Sequence, residues 1–143
     1  FDNLVIDAGA IGKYDFRGKN ILLTPHKGEL KRLGITPLKK DLMKFSLDSG
    51  VTLLLKGEID YITDGFYFKI NRTGHPRMAV GGTGDLLAGM CGALLGRGLS
   101  AFKSARLASY VFGLAGERCF SENGPGFIPT DLASSISKIL GRI

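Results

Sequence analysis

Cysteine is scarce in this chain of 143 residues: there are two, and no Cys–His pair has the spacing of a zinc site. Cys91 and Cys119 both fall in apolar helical patterns, which predicts reduced core residues and no disulfide. No apolar run approaches the ~20 residues needed to span a bilayer. No signal peptide is evident, so a cytoplasmic location is expected. There is no internal repeat and no low-complexity tract. The Gly-x-x-x-x-Gly-Lys phosphate loop is absent too: five residues before Gly12 and Gly18, each followed by lysine, stand Asp7 and Lys13. No Gly-x-Gly-x-x-Gly occurs either. A bound nucleotide can use neither of those cradles.

What is present is ordinary in bulk and unusual in one respect. Hydrophobic residues make up 44% and charged residues 22%, the balance of a single globular core. Glycine is high, at 21 residues, so turns, caps and ligand loops are expected to use it. The net charge is +6. The basic residues are scattered, no run exceeds two (as at Lys39-Lys40), and none interleaves with aromatics. That argues against nucleic acid. It fits a solvated basic surface that attracts phosphorylated small molecules.

The most informative stretch is Gly81-Gly82-Thr83-Gly84-Asp85, which runs straight into the uncharged segment Leu86 to Leu95. The pattern predicts a buried helix with its N-terminus in the glycines. The first amides of a helix lack intrahelical acceptors, and the helix dipole adds positive potential there. Glycines let an anion come close to that backbone. Asp85 has two readings. It caps the helix, or it handles a proton on the group that attacks a phosphate held in the cradle.

Residues 71 to 98 together carry Asn71-x-Thr73-Gly74-x-x-x-Met78-Ala79-x-Gly81-Gly82-Thr83-Gly84-Asp85-Leu86-Leu87-Ala88-Gly89. This resembles the glycine-rich signature of the NAD(P)H-hydrate dehydratases, a family of the ribokinase-like superfamily. The resemblance implies an α/β fold: a ribokinase-like three-layer arrangement with helices on both faces of the sheet.

Taken in order, the chain agrees with α/β layering. Asn3–Asp7, Asn20–Thr24 and Val51–Lys56 read as buried strands. The first delivers Asp7 to its C-terminal end, either as a plain strand terminator or as a site residue, since ligands of open sheets sit at that edge. After Pro25, His26 leads into a short helix through Leu33. Pro37 to Ser49 reads as a helix with Leu38, Leu42, Phe45 and Met43 on its apolar side. Asp60 to Ile70 reads as a hairpin with a two-residue Asp64-Gly65 turn. Ser100 caps a helix to about Phe120. Asn123 to Gly126 breaks it, and a last helix follows from Pro129-Thr130-Asp131, covering Leu132 to Leu140.

The resemblance also implies roles. Thr24-Pro25-His26-x-Gly28-Glu29 is similar to a family segment in which the His contacts the hydrated dinucleotide. Lys56 and Gly57 match a Lys-Gly pair that lines the adenine nucleotide site, although Glu58 stands where a small residue is usual. Gly82, Thr83 and Gly84 then hold the phosphoryl group, and Asp85 orients or deprotonates the hydroxyl of the hydrate. The implied reaction is repair of hydrated NADH or NADPH: ADP or ATP, with Mg²⁺, phosphorylates the new hydroxyl, and loss of phosphate restores the cofactor. No protein metal ligands are expected.

Two rivals remain at this stage. Sugar kinases of the superfamily tend to show Asp-Thr before the glycines, and pyrimidine and thiazole kinases tend to place Cys where Asp85 stands. Both differ from this sequence. An inactive nucleotide-binding fragment is the other rival, because the resemblance covers only the C-terminal half of the family domain. The opening at Phe1 suggests a cut or processed chain. Residues 1–143 are thus expected to form the C-terminal part of one domain, paired with an N-terminal half in a longer chain or a second polypeptide. Association into a homo-oligomer is expected as well.

Overall fold

The computed structural model describes residues 2–13 and 15–141; Phe1, where the sequence opens, lies outside them. Strands β1 (Asn3–Ile6), β2 (Asn20–Leu23) and β3 (Thr52–Leu55) run parallel. β4 (Asp60–Thr63) pairs antiparallel with β3, and β5 (Phe68–Asn71) antiparallel with β4. The sheet order is β1-β2-β3-β4-β5. The three parallel strands are short apolar runs because both of their faces are covered.

Alternation along each strand sorts the core into two layers. Leu22, Leu54 and Ile62 point to one face, under α3 (Thr83–Gly96) and α4 (Ala101–Asn123). Ile21, Leu23, Leu53 and Leu55 point to the other, under α1 (Lys27–Arg32) and α2 (Lys39–Ser49). A fifth helix, α5 (Pro129–Leu140), packs along the outside of α4 and adds Leu132 and Ile136 to the first layer. The result is the three-layer α/β arrangement that the family resemblance implies.

Several local expectations change. The Asp64-Gly65 turn is a four-residue loop, because Thr63 pairs with Phe68 and the Asp64 carboxylate accepts the amides of Phe66 and Tyr67. Helix α2 starts at Lys39 rather than Pro37. Leu38 is its N-cap and is 54% exposed, so it does not join Leu42 in the core. Helix α4 runs on to Asn123, where Gly124 ends it, and α5 already begins at Pro129. Cys91 and Cys119 are free, buried thiols, as their patterns predict. No helix among the described residues is long and apolar enough to cross a membrane.

Candidate active site

Parallel pairing brings the C-terminal ends of β1, β2 and β3 to one edge, and with them Asp7, Thr24 and Lys56. The Lys56 ammonium donates to Asp7 Oδ1 at 2.7 Å, and the buried Thr24 hydroxyl donates to the same oxygen at 2.7 Å. Both charged side chains are mostly enclosed. Burial pushes the Asp7 carboxyl up, but the Lys56 and Thr24 bonds outweigh it and hold it below its ordinary value. The next residue, Ala8, has φ 51°, a left-handed conformation that L side chains rarely adopt.

Helix α3 begins beside this ion pair. Gly82 is its N-cap at φ 90°, in the left-handed region that glycine enters without strain. Among the described residues, the amides of Gly82, Gly84 and Asp85 meet no acceptor. The Thr83 amide is directed at the Val80 carbonyl at 3.4 Å, and its hydroxyl donates to the same carbonyl at 2.8 Å. So of the three residues expected to hold a phosphoryl group, Thr83 has its donors engaged locally, and the Asp85 amide stands free in its place. A Cβ on Gly84 would lie 3.4 Å from Lys56 Nζ and 3.9 Å from Asp7 Oδ2, so an ammonium borders the free amides. Asp85 is exposed, and its carboxylate makes no hydrogen bond or ion pair among the described residues. It is not the helix cap.

The segment before the glycines is fixed to α4. Asn71 donates to Asp60 Oδ2 and to the Ser109 carbonyl, and accepts from the Thr73 hydroxyl at 2.9 Å. The same hydroxyl reaches the Tyr110 carbonyl at 3.1 Å, and the Gly74 amide donates to Glu117. Two glycines of α4 make this approach possible. A Cβ on Gly113 would fall 2.1 Å from Thr73 Oγ1, and one on Gly116 would fall 2.0 Å from Met78 Sδ. Asn71, Thr73 and Met78 therefore position the loop that carries residues 80–85.

His26 forms an isolated parallel bridge with Lys56, so it stands at the same edge. Its Nδ1 accepts the amides of Gly28 and Glu29, while Glu29 accepts the His26 amide; together they close a capping box on α1. The ring is more than half exposed, and Nε2 lies 3.6 Å from Glu29 Oε1. The histidine thus has a structural task and still offers a ring edge. Gly57 donates its amide to Asp60 at 3.1 Å, which fixes the turn after Lys56. Burial raises the Asp60 carboxyl, against the opposing bonds from Asn71 and Gly57. The Cys91 thiol is pushed up to about 12 by burial and by Asp7, so it is inert as a nucleophile.

Sequence reasoning missed Asp60 and left Thr24 without a role of its own. Thr24 stands in the quoted Thr-Pro-His segment, which could have flagged it. Asp60 carries no such signal, because one partner, Asn71, lies eleven residues onward and the other, Gly57, is met only across a turn. No group of three or more His, Cys, Asp or Glu among the described residues could hold a metal ion.

The NAD(P)H-hydrate dehydratase family model matches residues 2–138. The ADP-dependent (S)-NAD(P)H-hydrate dehydratase of Cenarchaeum symbiosum is 39% identical over 145 residues, covering 94% of this chain and 50% of that protein. The ADP/ATP-dependent NAD(P)H-hydrate dehydratase of Bacillus subtilis, co-crystallised with ATP/Mg²⁺, superposes with a TM-score of 0.83 at 27% identity. It covers 96% of this chain and 54% of that one. A ribokinase-like superfamily protein of Enterococcus faecalis V583 shares the fold at the same TM-score. The chain spans about half the length of these relatives. By the family model and the fold together, it belongs to the NAD(P)H-hydrate dehydratase family.

Proposed function

We propose that this chain supplies the phosphate cradle and the general base of an enzyme that repairs hydrated NADH and NADPH, with ADP or ATP as phosphoryl donor. The observation that carries the reading is the pairing of free α3 amides with an unpartnered carboxylate, Asp85, one residue along. Phosphoryl transfer to a hydroxyl needs both parts. The amides of Gly82, Gly84 and Asp85 and the Lys56 ammonium stabilise charge on the transferring group. Asp85 takes the hydroxyl proton as that oxygen attacks the terminal phosphorus, and AMP or ADP departs. The phosphate then leaves the ring while a neighbouring carbon releases its proton to solvent, and the ring double bond returns. His26 presents its exposed ring edge to the hydrate, and Gly57 shapes the turn beside the donor.

The residues fit Mg²⁺ brought in by the nucleotide rather than one held in a protein cage. The carboxylate oxygen facing the cradle is Asp7 Oδ2, whose partner oxygen is already engaged. When bound, the ion neutralises charge on the donor phosphates. Two free thiols support a reducing, cytoplasmic setting. The matched relatives are about twice as long, which supports a domain completed by an N-terminal half.

Incubation with hydrated NADH, Mg²⁺ and either ADP or ATP tests the reading. Recovery of NADH absorbance is expected when the remainder of the domain is supplied, and little without it. No recovery with either donor in the completed domain would overturn the function. Turnover at about 1 s⁻¹ or more by a pure 15.3 kDa species would overturn the need for a second half.

A further inference from the structure

We infer that the groove between β5 and α4 is a second binding site, one that takes a small organic anion with an apolar body. The groove has a volume of about 440 Å³, within the range of small-molecule pockets. Its apolar lining includes Ile62, Leu99 and Leu107. Three cations stand around it: Lys69 from β5, and Lys103 and Arg106 from α4. No carboxylate lines it, and none of the three cations makes an ion pair among the described residues. Arg106 rests over the Phe102 ring at 5.6 Å, which holds the guanidinium without neutralising it.

Lys103, Arg106, Leu107 and Tyr110 follow the i, i+3, i+4, i+7 spacing of one helix face, so α4 presents charge and apolar surface together. None of residues 80–85 lines this groove, although Asn71 and Tyr110 at its far end hold the mount of the loop that carries them. Asn20, at the start of β2, donates to the Leu99 carbonyl at 3.1 Å, which places that end of the groove at the N-terminal edge of the strands. The cradle lies at the opposite edge. Three like charges in one concave surface raise its potential and concentrate anions there. A second copy seated symmetrically would bring two such clusters face to face, so charge favours a small anion over self-association.

The fluorescent sulfonate 1-anilinonaphthalene-8-sulfonate is a suitable probe, followed by emission and by amide NMR shifts on the whole chain. The expected result is saturable binding with shifts at Ile62, Lys69 and residues 99–110. The double variant Lys103→Glu/Arg106→Glu should weaken it by about tenfold or more. Gly84→Val should leave it unchanged, which separates this site from the nucleotide reading. If the charge reversal does not fold, Lys103→Gln should lower affinity, and added salt should weaken binding to the native chain. Shifts that scatter or centre on residues 82–85 would overturn the proposal. So would affinity indifferent to the substitutions, or a sedimenting dimer that the charge reversal disperses.

Discussion

Residues 71–78 and residues 82–85 belong to one continuous glycine-rich motif, yet they use their polar groups in opposite ways. In the first segment, Asn71, Thr73 and the Gly74 amide all bond into α4 or the neighbouring strand. In the second, three amides and the Asp85 carboxylate bond nothing among the described residues. A buried polar group left unpaired is costly, and an exposed one is not. The tied segment therefore acts as a mount, and the open segment is free to meet a ligand. One run of fixed residue types thus mixes two kinds of requirement: close packing against Gly113 and Gly116, and open donors at a helix start.

The sharpest way to break this contrast is at Asp85. Asp85→Asn is expected to lower turnover of hydrated NADH by about 10²–10⁴ in the completed domain. Stability should change by no more than about 0.5 kcal/mol, since the exposed side chain makes no hydrogen bond or ion pair among the described residues. Near-normal turnover would return Asp85 to a passive place on the helix. Gly113→Ala should do the reverse. Its Cβ meets the Thr73 hydroxyl and backbone, so denaturant melts should show a loss of about 1–3 kcal/mol or more. A neutral result would mean that the mount is not rigid.

Two smaller effects sharpen the comparison. Thr73→Val removes the hydroxyl that links Asn71 to Tyr110, and should cost about 1 kcal/mol in the same melts. At the strand edge, Asp7→Asn removes the counter-charge of a mostly enclosed Lys56 and should cost about 1 kcal/mol at neutral pH. The Asp7 carboxyl is lowered in the folded chain. Its contribution is therefore present above the ordinary carboxylate value and is lost as pH falls through the lowered one. The gap between native chain and variant should accordingly close on acidification from pH 5 downward. A gap that stays constant in acid would assign the Asp7 effect to packing alone.

Much of this architecture was legible beforehand. The apolar runs at β1, β2 and β3 announce covered parallel strands, and the Leu86–Leu95 run announces α3, because periodicity and length are local properties. The glycine segment announced the start of that helix for the same reason. What the sequence hid depends on distant partners. Nothing near Leu38 shows that it faces solvent, and nothing near Asp60 shows that it joins Gly57 to Asn71. Likewise His26 reads as a ligand or as a structural residue, and only the backbone reveals that Nδ1 closes the first turn of α1. Pairings across β-ladders and helix faces are set by tertiary packing, which spacing in one chain does not encode.

The thioether of Met78 sits where the mount is tightest, against Gly116 and within 3.4 Å of the His75 amide, yet it is only partly buried. Its side chain is part-exposed, whereas Cys91 is enclosed. A sulfoxide is larger and polar, and the sulfur already packs closely against Gly116 of α4. Peroxide should therefore loosen residues 75–80 first, and with them the entry to α3, while the sheet stays intact. Proteolytic nicking within that segment, reversed by methionine sulfoxide reductase, would be its signature. The methionine that ties this segment to α4 is thus also the point at which oxidative damage would loosen it.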